Sequence, residues 1–145
     1  MRLAFWGAEE LGLLGSRAYV TSLDRSEIRR IRAYVNLDMI GSPNGVPDVY
    51  ADGSPALARV LRRAARGKVG RIDVGGGSDH TLFREAGIPV NGYYTGASEA
   101  GRGGRPRDPC FHLACDTVRN VNQRILLGLA RASARALRAL SRQAK

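Results

Sequence analysis

Short apolar runs alternate with segments of helical period along the whole of this chain. That alternation constrains the fold more than any other feature, because strands that alternate with helices pack as helices against a mostly parallel or mixed sheet. Residues 2–7 read as a buried strand. Residues 11–23 read as a helix with Leu11, Leu14, Ala18 and Tyr19 on one face. Asp24-Arg25-Ser26-Glu27 reads as a short helix start. Residues 32–39 form a second buried strand, stopped by the turn cluster from Gly41 to Gly45. Residues 55–66 have helical spacing, and a short strand follows near 69–73. Gly75, Gly76 and Gly77 form a flexible loop, after which Ser78 or Asp79 would cap a helix over 79–86. Gly87-Ile88-Pro89 ends that helix, and residues 89–95 make another strand. A loop rich in Gly, Arg and Pro runs over 96–117, a length expected of functional or mobile segments. The final helix, about 118–142, places Val118, Val121, Ile125, Leu129, Ala132, Ala136 and Leu140 on one stripe. Arg131, Arg135, Arg138 and Arg142 mark an opposite, solvated face.

The bulk numbers exclude several classes. A chain of 145 residues that is 43% apolar fits one domain with a real core rather than a disordered segment. No apolar run approaches the roughly 20 residues of a membrane-spanning helix, and no basic-then-apolar leader is visible. The formal charge of +10 raises nucleic acid as a partner. The basic residues are scattered, however, and no recognition helix, zinc finger or aromatic-interleaved basic motif accompanies them. Gly101 to Pro106 is a short Arg/Gly stretch of a type that binds RNA in some proteins. It leads directly into a histidine motif and reads better as a loop bordering a cleft. No nucleic-acid partner is expected.

In open α/β sheets ligands gather beyond the carboxyl ends of strands. That rule selects Glu9 and Glu10 after the first strand, Asp38 at the end of the second, and the loop after Tyr93-Tyr94-Thr95. A carboxylate in an apolar strand is costly to bury unless it is paired, hydrogen-bonded or bound to a metal, so Asp38 is either an ion-pair or turn acid or a ligand. His112, one of only two histidines, lies between Cys110 and Cys115. The cysteines could form a small disulfide loop that holds His112 stiffly, or part of a metal site. Ser78-Asp79-His80 invites a triad reading, but a catalytic triad is not built from consecutive residues, and a helix start with an Asp–His hydrogen bond explains it better. Glu, Asp and His on strand-end loops are donors suited to zinc. A second Glu beside a ligand Glu is placed to take a proton from water.

Five segments occur in order: Phe5 to Ser16, Asn36 to Gly41, Ser78 to His80, Gly87 to Pro89, and Asp108 to His112. Together they resemble the co-catalytic di-zinc aminopeptidases, the family of bacterial secreted aminopeptidases and aminopeptidase Y, over about residues 2–122. The resemblance implies a three-layer α/β/α fold with a mixed, mostly parallel sheet, and a reaction that removes N-terminal residues from peptides with metal-activated water. It implies Glu9 as the general base and Glu10 and His112 as ligands of one zinc, with Asp38 as a ligand of the other. Cys110 and Cys115 match a disulfide of secreted members, which implies a secreted or extracytoplasmic location. Gly77, Ser78, Asp79 and Phe111 fall beside the implied substrate cleft. The implied partner is a peptide with a free N-terminus, and no membrane is implied.

The match departs from the family pattern at two points. The family's His-x-Asp motif and the Asp that bridges both metals have no counterpart here, so the expected domain is incomplete at its N-terminal side and residues 1–145 form its carboxy-terminal portion. Phe111 stands where several secreted relatives carry Tyr, whose hydroxyl can stabilise an oxyanion; losing one such donor costs on the order of 100-fold or more. Two other readings follow from the same residues: a non-catalytic fragment or binding module of this fold, and another zinc hydrolase or glutaminyl cyclase-like relative.

Overall fold

The structure, a computed structural model, describes residues 1–142, and of Arg102 the backbone alone. Strands β1 (Tyr34–Leu37), β2 (Asp48–Tyr50), β3 (Gly70–Ile72) and β4 (Val90–Tyr94) form one sheet in the order β1-β4-β2-β3. β1 and β4 are parallel, as are β2 and β3, whereas β2 runs antiparallel to β4. Helices α1 (Leu14–Ser22), α2 (Arg25–Arg30) and α4 (His80–Glu85) lie on one face, and α3 (Pro55–Ala65) and α5 (Gln123–Arg142) on the other. This is the expected three-layer α/β/α arrangement.

The alternating strand residues divide the core between the layers. Val49 and Tyr93 pack against Leu61 and Ala64 of α3 and Leu129, Ala132 and Ala136 of α5. Val90, on the opposite face of β4, meets Phe83 and Ile88. Tyr50, Tyr94 and Ala97 form a third cluster, covered by Met39, Ile72, Val74 and Phe111, which becomes the floor of the candidate site.

Local signals explain the boundaries. The Asp24 side chain accepts from the backbone of Ser26 and Glu27 while Glu27 reaches back to the Asp24 amide, a complete capping box for α2. Ser54 caps α3 with Pro55 in its first turn. β4 is buried throughout and Asn91 stitches it to β2: its Oδ1 accepts from the Tyr50 amide and its Nδ2 donates to the Tyr50 carbonyl, both at 3.2 Å. Gly92 is required beside it, because a Cβ there would lie 2.4 Å from the Asn36 carbonyl oxygen.

Four expectations need correction. Residues 2–7 do not form a buried strand: Leu3 is 74% and Phe5 94% exposed, while Trp6 packs on Tyr19 and Phe83 and Arg2 donates to the Tyr19 hydroxyl. An extended apolar segment becomes a strand only where a neighbour accepts its ladder of hydrogen bonds, and none of the described strands pairs with it. The first helix begins at Leu14 rather than 11, and its inward residues are Ser16, Tyr19 and Val20 rather than Leu11, Leu14 and Ala18. Neither Ser78 nor Asp79 caps α4 with its side chain; the Ser78 hydroxyl instead accepts from Asn36 Nδ2 at 2.8 Å. Residues 118–120 form a separate 3₁₀ turn before α5, leaving Val118 exposed and off the buried stripe. β2 was not foreseen, since a three-residue strand containing Asp48 and preceded by Pro47 has too few alternations to signal itself.

Candidate active site

A tight turn over Ala8–Leu13 places the paired acids. Ala8 and Leu13 take left-handed backbone angles (φ 56° and 59°), and the Glu9 carbonyl accepts from the amides of Gly12 and Leu13. α1 then packs so closely under the turn that a Cβ at Gly15 would sit 2.7 Å from the Gly7 carbonyl oxygen. Asp38 follows directly on β1, where the strand ends. His112 sits in the loop closed by the Cys110–Cys115 disulfide and is itself left-handed at φ 58°. Asp108 holds the base of that loop, accepting from the Cys110 amide and from Asn120 Nδ2 at 2.8 Å.

These elements converge on one pocket of about 440 Å³, lined by Glu9, Glu10, Asp38 and His112 together with Met39, Asp73, Val74, Gly75, Gly77, Ser78, Tyr94, Glu99 and Phe111. Glu10 Oε1 and His112 Nε2, 102 residues apart in sequence, are 2.7 Å apart. Phe111 stacks on the His112 ring with centroids 3.8 Å apart and orients it. Gly77, Ser78 and Phe111 line this pocket, and Asp79 is buried outside its lining.

Burial raises the Glu9 carboxyl to a pKa of about 7, reinforced by the negative charges of Asp38, Glu10 and Asp79 and opposed by His112. Asp38 is also raised, by burial first and then by Asp79 and Glu10, against a hydrogen bond from Ser78 that favours its ionised form. Beneath Asp38 a buried chain of hydrogen bonds runs from Trp6 Nε1 to the Tyr34 hydroxyl, then to Asn36 Oδ1, with Asn36 Nδ2 donating to both the Tyr50 and Ser78 hydroxyls. This chain fixes the floor under the carboxylates, since each member's donor or acceptor is satisfied in place.

A group of carboxylates and an imidazole is the donor chemistry of a zinc site. The Glu10–His112 pair fits as two donors to one ion. Among the described residues no three His, Cys, Asp or Glu side chains converge closely enough to hold a metal. Asp38 lines the same pocket but stands apart from that pair. Met39, Asp73, Tyr94 and Glu99 were not singled out from sequence. Tyr94 and Glu99 had a usable signal: Tyr94 ends the last strand, and Glu99 is the single acid in the basic stretch that follows it.

The model of peptidase family M28 matches residues 1–137. Leupeptin-inactivating enzyme 1 of Streptomyces exfoliatus is 39% identical over 140 residues, covering 87% of this chain and 32% of that protein. An aminopeptidase of Pseudomonas aeruginosa is 36% identical, covering 85% of this chain and 27% of that protein. The chain therefore spans about a third of the length of these relatives. Among solved structures, BSAP, a zinc aminopeptidase from Bacillus subtilis, superimposes with a TM-score of 0.78 at 30% identity over 91% of this chain and 34% of that one. A glutaminyl cyclase from an Acidobacteriales bacterium shares the fold, with a TM-score of 0.76 at 23% identity over 96% of this chain and 49% of that one. With a family model matched over nearly all of its length, the chain belongs to peptidase family M28.

Proposed function

We propose that this chain carries the carboxy-terminal part of a zinc-dependent aminopeptidase domain, with Glu9 as its general base. The observation that carries the reading is the meeting of Glu10 and His112 at 2.7 Å in the same pocket as Glu9 and Asp38. Glu10 and His112 would hold one zinc and Asp38 would contribute to a second. Zinc in such a site supplies a Lewis acid that polarises a carbonyl and acidifies water.

The chain's own residues account for the proton traffic. In the metal-free chain Glu9 prefers its proton up to a pH of about 7, so it is a carboxylate that can both take a proton from the attacking water and return it to the leaving amine. The acidic pocket suits the positive α-amine of a peptide's first residue, and in this reading the first peptide bond would lie beside Glu9. Phe111 presents no hydroxyl, so it offers no hydrogen bond to an oxyanion; its ring serves instead as a wall and as the support of His112.

The exposed Leu3, Phe5 and Leu11 and the half-exposed Leu37 on edge strand β1 supply apolar surface for the rest of the domain, which would bring the remaining metal donors. The Cys110–Cys115 disulfide supports an oxidising, extracytoplasmic setting. No described helix is long and apolar enough to cross a membrane.

The test is hydrolysis of leucine anilide and its N-acetylated form with and without zinc. Low turnover is expected of this chain, because few donors shared between zinc ions hold none tightly. That turnover should require zinc, fall about 100-fold or more in Glu9→Ala, and be absent on the acetylated substrate. Turnover that survives Glu9→Ala, or that ignores the acetyl group, contradicts the reading; cleavage favouring blocked peptides would favour a different hydrolase, and cyclisation of N-terminal glutamine a cyclase.

A further inference from the structure

The pocket holds carboxylates beyond those the proposed chemistry uses. Glu99 lines it from the loop after β4, held by the Tyr94 hydroxyl on Oε1 at 3.2 Å and by the Ala97 amide on Oε2 at 2.5 Å. Asp73 lines it from the loop after β3, accepting from the Gly75 amide at 2.9 Å. The same lining includes the apolar faces of Met39, Val74, Tyr94 and Phe111. Among the described side chains no lysine or arginine lines the pocket. Arg107, whose charge is felt at Tyr94, is engaged by Asp48 at 2.6 Å. The Glu99 carboxylate is therefore fixed in direction but is not neutralised by an ion pair among the described residues.

A pocket that combines apolar walls with a fixed carboxylate matches a side chain with an aliphatic stem and a terminal cation. Such side chains lay their methylenes on apolar surface and carry the charge beyond it. Resting on the aminopeptidase reading, we propose that the pocket selects peptides whose first residue is lysine or arginine, with Glu99 as the specificity-determining residue and Asp73 as a second, weaker attraction. Glu99 is oriented by Tyr94 and Ala97, so the cation meets a preorganised acceptor and little ordering cost remains. Asp73 is more exposed and solvent screens it more.

The experiment compares binding of L-lysinamide, L-norleucinamide and L-leucinamide to the zinc-supplemented protein, by NMR titration of backbone amides around the pocket. Norleucinamide has the lysine stem without its ammonium, so the ratio isolates the charge. Lysinamide is expected to bind about five- to tenfold more tightly than norleucinamide, as for a charge-assisted contact partly open to water. In Glu99→Gln that ratio should fall to about two or below while norleucinamide binding stays unchanged, which also shows that the variant is folded. Asp73→Asn should reduce the ratio less. Norleucinamide binding as tightly as lysinamide, or a preference that persists in Glu99→Gln, overturns the inference and leaves the aminopeptidase reading standing. Failure of all three amides to bind overturns both.

Discussion

His80 is the residue with the most exposed energetics, although it is fully buried. Among the described residues neither ring nitrogen has a hydrogen-bond partner, Tyr50 packs against the ring with centroids 4.5 Å apart, and Asp52 approaches Nε2 only to 3.8 Å. Burial lowers its pKa below the ordinary 6.5, with Arg84 adding to that and Asp52 opposing it. The folded protein therefore keeps His80 neutral, and its contribution to stability is full above pH 6.5 and is lost as pH falls below it. Glu9 and Asp38 run the other way: their raised values favour the neutral acid in the fold, so their contribution declines as pH rises from the ordinary carboxylate range. Urea midpoints of the metal-free protein should thus be read as a difference. The stability of wild type minus that of His80→Gln should shrink between pH 7 and pH 5; a constant difference would mean that His80 does not titrate differently on folding.

At the scale of elements, the site depends on two close approaches. α1 can carry the Glu9–Glu10 turn only because Gly15 lets it meet the Gly7 backbone. Gly15→Ala should cost about 1–3 kcal/mol, the usual range for overpacking, and should displace the turn; urea denaturation reads the first effect and loss of the Glu10–His112 contact the second. β4 depends on Asn91, whose amide satisfies the Tyr50 backbone. Asn91→Leu should cost about 2–4 kcal/mol, because two buried backbone groups lose their partner, and a midpoint within error of wild type would remove that role.

The same elements explain what the sequence could convey. Helices α2, α3 and α5 were legible because caps and 3.6-residue periodicity are local. β1 and β4 were legible as apolar runs closed by turn residues. The extent of α1 was not, because its start is set by a contact between Gly15 and Gly7 rather than by its own pattern. Residues 2–7 carry a strand pattern but lack a pairing neighbour here, which local sequence cannot report. In the site, the spacing of Glu9, Glu10, Asp38 and His112 was readable from motifs. Asp73 was not, since only the folded loop after β3 brings it to the pocket, and Glu99 was marked only as the single acid of the basic stretch after β4.

At the scale of the whole molecule, an apolar strip is left uncovered: Leu3, Phe5 and Leu11 are exposed beside a sheet whose edge strand β1 offers unpaired backbone. Exposed apolar surface beside an open edge invites association. The chain should therefore self-associate as its concentration rises, and Leu3→Asp with Phe5→Asp should keep it monomeric in sedimentation without changing its urea midpoint, because neither side chain is buried. Equal association by both proteins would place the contact elsewhere. The central claim, that Glu10 and His112 are joined to hold zinc, is tested most directly by titrating zinc into the protein while observing the ¹⁵N resonances of its two imidazoles. The account predicts that His112 shifts while buried His80 does not, and that Glu10→Ala weakens the His112 response at least about tenfold. A His112 signal indifferent to zinc, or a response unchanged in Glu10→Ala, would contradict it.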